Sequence, residues 1–178
     1  MTRTAIPVAL ALAAAGCAGV MPAGSTGATA TAELRNASGQ VVGTATFTEV
    51  RSVVRVVLEA RGLPPGDKAV HLHEVGTCEV PRFTSAGAHF NPDQKQHGML
   101  NPAGPHAGDL PTIRIESDGT GRFETSNYRI TLGPGSSSLL DRDGTALVIH
   151  AAPDDHRTDP TGNSGNRIAC GVVVKKAP

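Results

Sequence analysis

Six of the seven histidines in this 178-residue chain fall between residues 71 and 150. His71 and His73 are separated by one residue in an apolar run, so on a strand their side chains share a face. Two imidazoles on one face can share a metal ion, although such a pair taken alone also fits a solvent-facing edge strand. His89, His97, His106 and Asp109 follow within one polar stretch, and His150 ends a later apolar run. Three imidazoles and a carboxylate complete a tetrahedral zinc site. His71, His73 and His150 supply three further nitrogens, and imidazole also suits copper. His156 stands apart from both groups and reads as a loop histidine exposed to solvent, with a peripheral metal or proton-relay role as the alternative.

The elements that must position these groups read as strands. Ala30–Asn36 and Gln40–Glu49 alternate about Ser38-Gly39, a hairpin pattern. Ser52–Ala60, Lys68–Glu74, Leu110–Glu116, Gly121–Arg129, Thr145–His150 and Ile168–Lys175 are further strand candidates, with Asp118-Gly119 as one turn. Asp141-Arg-Asp143-Gly144 reads as another turn. Two long polar stretches, Val75–Gly108 and Ala151–Asn166, carry most of the candidate ligands, and loops of that length in a compact domain usually serve function. No segment shows sustained helical periodicity. Eight strands and two long loops predict an all-β, Greek-key sandwich or barrel.

Composition removes other classes. Sixteen basic residues balance sixteen acidic ones, which argues against a polybasic nucleic-acid binder. Aromatic residues are 3%, too few for base-stacking platforms. No nucleic-acid partner is expected.

The N-terminus reads as an export signal. One basic residue, Arg3, precedes an uncharged, apolar run from Ala5 to Val20 that is short for a membrane span. Ala14-Ala15-Gly16-Cys17 resembles a bacterial lipobox, with Ala14 where Leu is usual. The expected organisation is therefore a signal peptide over residues 1–16, a lipidated Cys17 with a flexible tether over 17–29, and one domain over 30–178.

Several motifs in order resemble copper/zinc superoxide dismutase: His71-Leu-His73-Glu74, Ser85-Ala-Gly-Ala-His89-Phe-Asn-Pro92, His97-Gly98, His106-Ala-Gly-Asp109-Leu110 and Gly162-Asn-Ser-Gly-Asn-Arg167-Ile-Ala-Cys170-Gly171. The resemblance covers the chain from Ala30 onward. It implies copper on His71, His73, His89 and His150, and zinc on His89, His97, His106 and Asp109, one ion of each per chain. His89 would bridge the two. Arg167 and His89 would be the catalytic residues, and Asp154 the carboxylate that links a copper ligand to a zinc ligand. Cys78 and Cys170 would form a disulfide. The implied reaction converts superoxide to oxygen and hydrogen peroxide by alternating reduction and reoxidation of copper, with zinc in a structural role. The implied location is the bacterial cell envelope, in the periplasm or on the outer face of a membrane. A homodimer is an open expectation, because the loops that carry family dimer contacts are short here. The competing reading is a non-catalytic, copper-storing or metal-binding envelope lipoprotein on the same fold.

Three cysteines leave one without a partner, and acylation accounts for it. Mass spectrometry of the mature protein is expected to find a diacylglyceryl group on an N-terminal Cys17. An unmodified chain that starts elsewhere contradicts this.

Overall fold

A computed structural model describes Met1 and residues 27–176. The expected signal peptide and Cys17 lie outside the described residues, as does most of the tether. Among the described residues ten strands form one antiparallel sheet: β1 Thr29–Asn36, β2 Val41–Val50, β3 Val53–Ala60, β4 Gly66–Lys68, β5 Val70–His73, β6 Ile113–Ile115, β7 Gly121–Asn127, β8 Ala146–His150, β9 Arg167–Val172 and β10 Val174–Lys175. Their order is β4-β6-β7-β3-β2-β1-β9-β8-β5, with β10 beside β1. The two ends of that order, β4 and β5, are joined in sequence through Ala69 alone. The sheet therefore curls into a nearly closed barrel. The pairings β3 with β7, β5 with β8 and β1 with β9 join strands distant in sequence, as a Greek key requires.

The eight expected strands become ten because two of them change partners midway. Lys68–Glu74 breaks at Ala69, with β4 pairing β6 and β5 pairing β8. Ala69 instead bonds to the second loop, donating its N–H to Ala152 O (2.9 Å) and accepting from His150 N (2.9 Å). Ile168–Lys175 breaks at Val173, whose N–H turns to Thr145 O (2.8 Å). The candidate Leu110–Glu116 shortens to β6, since Pro111 has no N–H to give a ladder. Gly121–Arg129 stops at Asn127, whose buried amide donates to Ala107 O (2.9 Å) and accepts from Arg129 N (2.8 Å).

Strand alternation divides the apolar residues into two groups. Phe47, Leu58, Val70, Leu72, Leu147 and Ile149 belong to the large cluster that fills the barrel. Ala146, Val148 and Cys170 face outward and pack with Phe83 and Ala86 of the first long loop. A disulfide joins Cys78 to Cys170 across 92 residues, with 5.7 Å between the Cα atoms. It fastens that loop to the barrel wall. Among the described residues no helix is long and apolar enough to cross a membrane.

Closing a loop of this length removes much of the freedom of the unfolded chain. Replacing both cysteines by serine is expected to lower the unfolding free energy of the metal-stripped protein by about 4–5 kcal/mol. Denaturant titration measures it, and a loss under about 1 kcal/mol contradicts this role.

Candidate metal centre

All four residues of β5 are buried. Val70 and Leu72 point into the barrel, which leaves His71 and His73 on the outer wall, beneath the loops. The free edge of β5 recruits the first long loop as backbone partners. Glu74 N donates to Ala88 O (3.0 Å), Phe90 N to Leu72 O (2.8 Å) and Leu72 N to Gly108 O (2.9 Å). These bonds set His89 opposite His73 and Asp109 opposite His71. His150 arrives from β8, where a register shift at Ile149/His150 sets it opposite Arg167 of β9. His97 and His106 come from the same loop as His89 and Asp109, and all of these side chains are buried.

Two ligand sets result. Around Asp109 Oδ1 lie His97 Nδ1 at 3.0 Å, His89 Nδ1 at 3.2 Å and His106 Nδ1 at 3.4 Å, and His106 Nδ1 is 3.4 Å from His89 Nδ1. A tetrahedron with metal–ligand bonds of about 2.0–2.1 Å has edges of about 3.3–3.4 Å. The second set is His71, His73, His89 and His150, whose nearest ligand atoms all lie within 4.8 Å of one another. The ligand atoms of His71, His89, His97 and Asp109 meet the same limit. His71, however, already holds Asp154 through Nε2 (2.7 Å), so its Nδ1 belongs to the four-histidine set and His106 completes the other.

Hydrogen bonds fix which nitrogens are free. His73 Nδ1–H donates to Gly87 O (3.0 Å) and His150 Nδ1–H to Gly165 O (3.2 Å). Their Nε2 atoms therefore face each other at 3.4 Å as two lone pairs. His71 Nδ1, His89 Nε2 and His97 Nδ1 are buried without a hydrogen-bond partner. Burial pushes His73 down to about 2, His150 to about 3 and His71 to about 4, and lowers His89 as well. These rings are neutral at physiological pH, the form a metal needs. Unpaired buried lone pairs converging at such distances are costly unless they share a cation. The residues fit two metal ions, with His89 offering Nδ1 to one set and Nε2 to the other.

Asp154, from the second long loop, joins the sets. Its Oδ2 accepts from His71 Nε2 (2.7 Å) and its Oδ1 from His97 Nε2 (2.9 Å). Burial opposes ionisation of Asp109 and Asp154, yet hydrogen bonds from the histidines hold both well below the usual carboxylate range. Burial likewise opposes charge on His97, but Asp109 and Asp154 outweigh it and raise the ring to about 9.

Residues 41–173 match the model of the family described as copper/zinc superoxide dismutase (SODC). The chain belongs to the copper/zinc superoxide dismutase family. It is 51% identical over 144 residues to Superoxide dismutase [Cu-Zn] 2 of Aquifex aeolicus, covering 80% of this chain and 84% of that one. It is 44% identical over 147 residues to Superoxide dismutase [Cu-Zn] of Caulobacter vibrioides, covering 81% and 84%. A crystal structure of a double mutant of a SOD-like protein from Bacillus subtilis superimposes with a TM-score of 0.77 at 41% identity, over 80% of this chain and 95% of that one.

Every ligand position expected from the family motifs lies in the two sets, and Arg167 opens onto them. A mouth of about 660 Å³ is lined by His73, His89, His150, Lys95, Thr161 and Arg167, among others. Arg167 is half-buried; its Nη1 donates to Phe83 O and its Nη2 to Gly87 O, both 2.6 Å. Asp159 escaped the sequence reading. Its carboxylate accepts from His97 N (2.5 Å) and lies 3.7 Å from His106 Nε2. Nothing local distinguishes it from Asp155, which instead organises its own loop through Arg157, Thr158 and Asn163. Gly162 is also a site residue: at φ +61°, a Cβ there would lie 1.9 Å from Asp154 Oδ1 and 2.6 Å from His97 Nε2.

Gly162→Ala is therefore expected to displace Asp154 or His97 and to weaken zinc binding by about 10–100-fold, the usual effect of disturbing groups that orient metal ligands. Competition with a chromophoric chelator measures it. Wild-type zinc affinity in this variant contradicts the assignment.

Proposed function

We propose that His71, His73, His89 and His150 hold copper and that His89, His97, His106 and Asp109 hold zinc, in an enzyme that converts two superoxide ions and two protons into oxygen and hydrogen peroxide. The observation that carries this reading is the single buried His89 ring, which gives one nitrogen to each set. Donor chemistry supports the choice of metals. Four imidazoles suit copper, and three imidazoles with a carboxylate at tetrahedral spacing suit zinc.

Copper supplies the one-electron couple when bound, and zinc supplies a fixed charge without redox chemistry. The rest falls to the chain. His89 Nε2 faces the four-histidine set without another partner, so it is the atom at which this protein can hold and release one of the two protons that peroxide formation consumes, the other coming from water. Asp154 orients His71 and His97 together, and the Gly87 and Gly165 carbonyls orient His73 and His150. Arg167 spends two N–H donors on backbone carbonyls, which fixes its plane and leaves donors for a small anion. Lys95 adds a second positive charge at the mouth, offset by Glu74 and Asp159.

The proposed setting is the bacterial cell envelope, with a membrane contact through acylated Cys17. The signal-like N-terminus supports this, and so does the disulfide, a bond that persists in oxidising compartments.

Two expectations test the assignments. In protein loaded with both metals, Asp109→Ala is expected to lose zinc while His71, His73 and His150 retain copper. His73→Ala is expected to lose copper and activity while keeping zinc and the fold. Elemental analysis of each variant decides, and the opposite pattern reverses the assignment. Arg167→Ala is expected to lower the second-order rate by about tenfold or more with both metals retained, and to flatten its dependence on salt. That magnitude comes from the general range of electrostatic steering, to which this enzyme family itself contributes. Lysine restores charge without the fork and is expected to rescue part of the loss. Pulse radiolysis at several ionic strengths measures both effects, and a wild-type rate with unchanged salt dependence removes Arg167 from the mechanism.

A further inference from the structure

His156 was expected to be an exposed loop histidine, but it stands against the back of the metal centre. Its side chain is 21% exposed, and its Nδ1 is buried with no hydrogen-bond partner, 3.5 Å from Asp154 Oδ2. Nε2 lies 3.4 Å from Thr112 Oγ1. The threonine hydroxyl can donate to Nε2, which places the ring proton on Nδ1, facing the carboxylate at ion-pair rather than hydrogen-bond distance. The backbone reinforces the contact: His156 N donates to Asp154 Oδ1 (2.7 Å) and its carbonyl accepts from Leu100 N (3.0 Å). That carbonyl also approaches Gly98 so closely that a Cβ there would lie 2.2 Å from it. His156 holds the left-handed conformation, at φ 55°. Such values are uncommon outside glycine, with Asn, Asp and His enriched among the exceptions. One residue thus touches the carboxylate between the two ligand sets, the loop that carries His97, and Thr112 beside β6.

We propose that His156 is a positioning residue for the metal centre, which holds Asp154 in the orientation that aims His71 Nδ1 and His97 Nδ1 at their metals. The proposal rests on the reading of Asp154 as the carboxylate that links the two sites. Its physical content is that Asp154 Oδ2 otherwise has His71 Nε2 as its only close ring donor. Without the Nδ1–H dipole 3.5 Å away on its other side, the carboxylate loses one of the groups that fix its rotation. Both ligand rings then lose alignment together.

The test uses the full protein carrying both metals, with zinc affinity read by chelator competition and the copper site by electron paramagnetic resonance. His156→Phe keeps a ring without donors. His156→Gly removes the side chain and adopts φ 55° without strain, so it serves if the Phe variant does not fold. Both are expected to weaken zinc binding by at least about tenfold, the lower end of the range for groups that orient ligands, and to shift the copper spectrum. His156→Asn tolerates the same backbone conformation and places an amide N–H where Nδ1 stood, so it is expected to stay within about twofold of wild type with an unchanged spectrum. Asp154→Ala is the control and is expected to lose zinc. Phe or Gly variants that match wild type while Asp154→Ala loses zinc overturn the role of His156 alone. An Asn variant as weak as the Phe variant overturns the donor argument. An Asp154→Ala protein that retains zinc overturns the reading of Asp154 and the proposal with it.

Discussion

Six imidazoles and two carboxylates are packed out of water within a few ångströms of one another, and the outer wall of this barrel is organised around that cluster. Buried polar groups must be paired, and these are paired on one side only. Asp154, the Gly87 and Gly165 carbonyls, and the amides of Gly98 and His106 satisfy the outward atoms. The inward atoms are directed at two common points, and those of His71, His73 and His150 are lone pairs. The raised His97 shows how strongly the two carboxylates call for positive charge between them. A metal ion answers that demand more fully than a proton, because it draws on four donors at once.

This explains how long loops can be ordered with little regular structure. The first long loop carries one three-residue 3-10 turn, Thr84–Ala86, and otherwise no helix or named strand. Three ties hold it: backbone bonds to the edge of β5, the disulfide to β9, and the ligand cluster itself. The apolar patch of Phe83, Ala86, Val148 and Cys170 is small beside the barrel core, so burial alone is a weak anchor. The barrel core supplies stability, its outer wall presents His71, His73 and His150, and the cluster supplies the order of the loops that cover them.

Much of this was legible from residue spacing, and the failures have physical causes. His71 and His73 were readable as a shared face because a strand alternates with period two. The breaks at Ala69 and Val173 were not readable. Each is a change of hydrogen-bond partner in a barrel that must close: Gly66-Asp67-Lys68 has no strand character of its own, and Val173 continues the apolar run of β9 into β10. The role of Asp159 depends on how the second loop folds back over His97, a contact 62 residues distant in sequence. The glycines at 98 and 162 matter because the His156 carbonyl and the His97 ring approach them from another segment, and because the second loop folds Asp154 back onto Gly162. His156 differed from its expected place for the same reason: a histidine among acidic and small residues has the local signature of a solvated loop. The residues of the two sets, by contrast, were visible as ordered family motifs, since chemistry at a metal fixes residue type as well as position.

The Gly87 carbonyl shows how the pieces act as one unit. It accepts Nδ1–H of His73 (3.0 Å) and Nη2–H of Arg167 (2.6 Å). A member of the four-histidine set and the cation at the mouth are therefore registered to the same atom, on the loop held by the disulfide. Gly87 has φ +76°, and a Cβ there would meet Glu74 Cγ at 2.8 Å, so the peptide that carries this carbonyl has little room for another residue. Steering an anion toward a mouth requires charge alone, but delivering it to a reacting centre requires that the charge keep a fixed distance from that centre. A long arginine side chain is poorly suited to this unless its far end is anchored. Here two backbone carbonyls anchor it, and one of them also anchors His73, so displacement of the loop would move Arg167 and His73 together rather than one against the other.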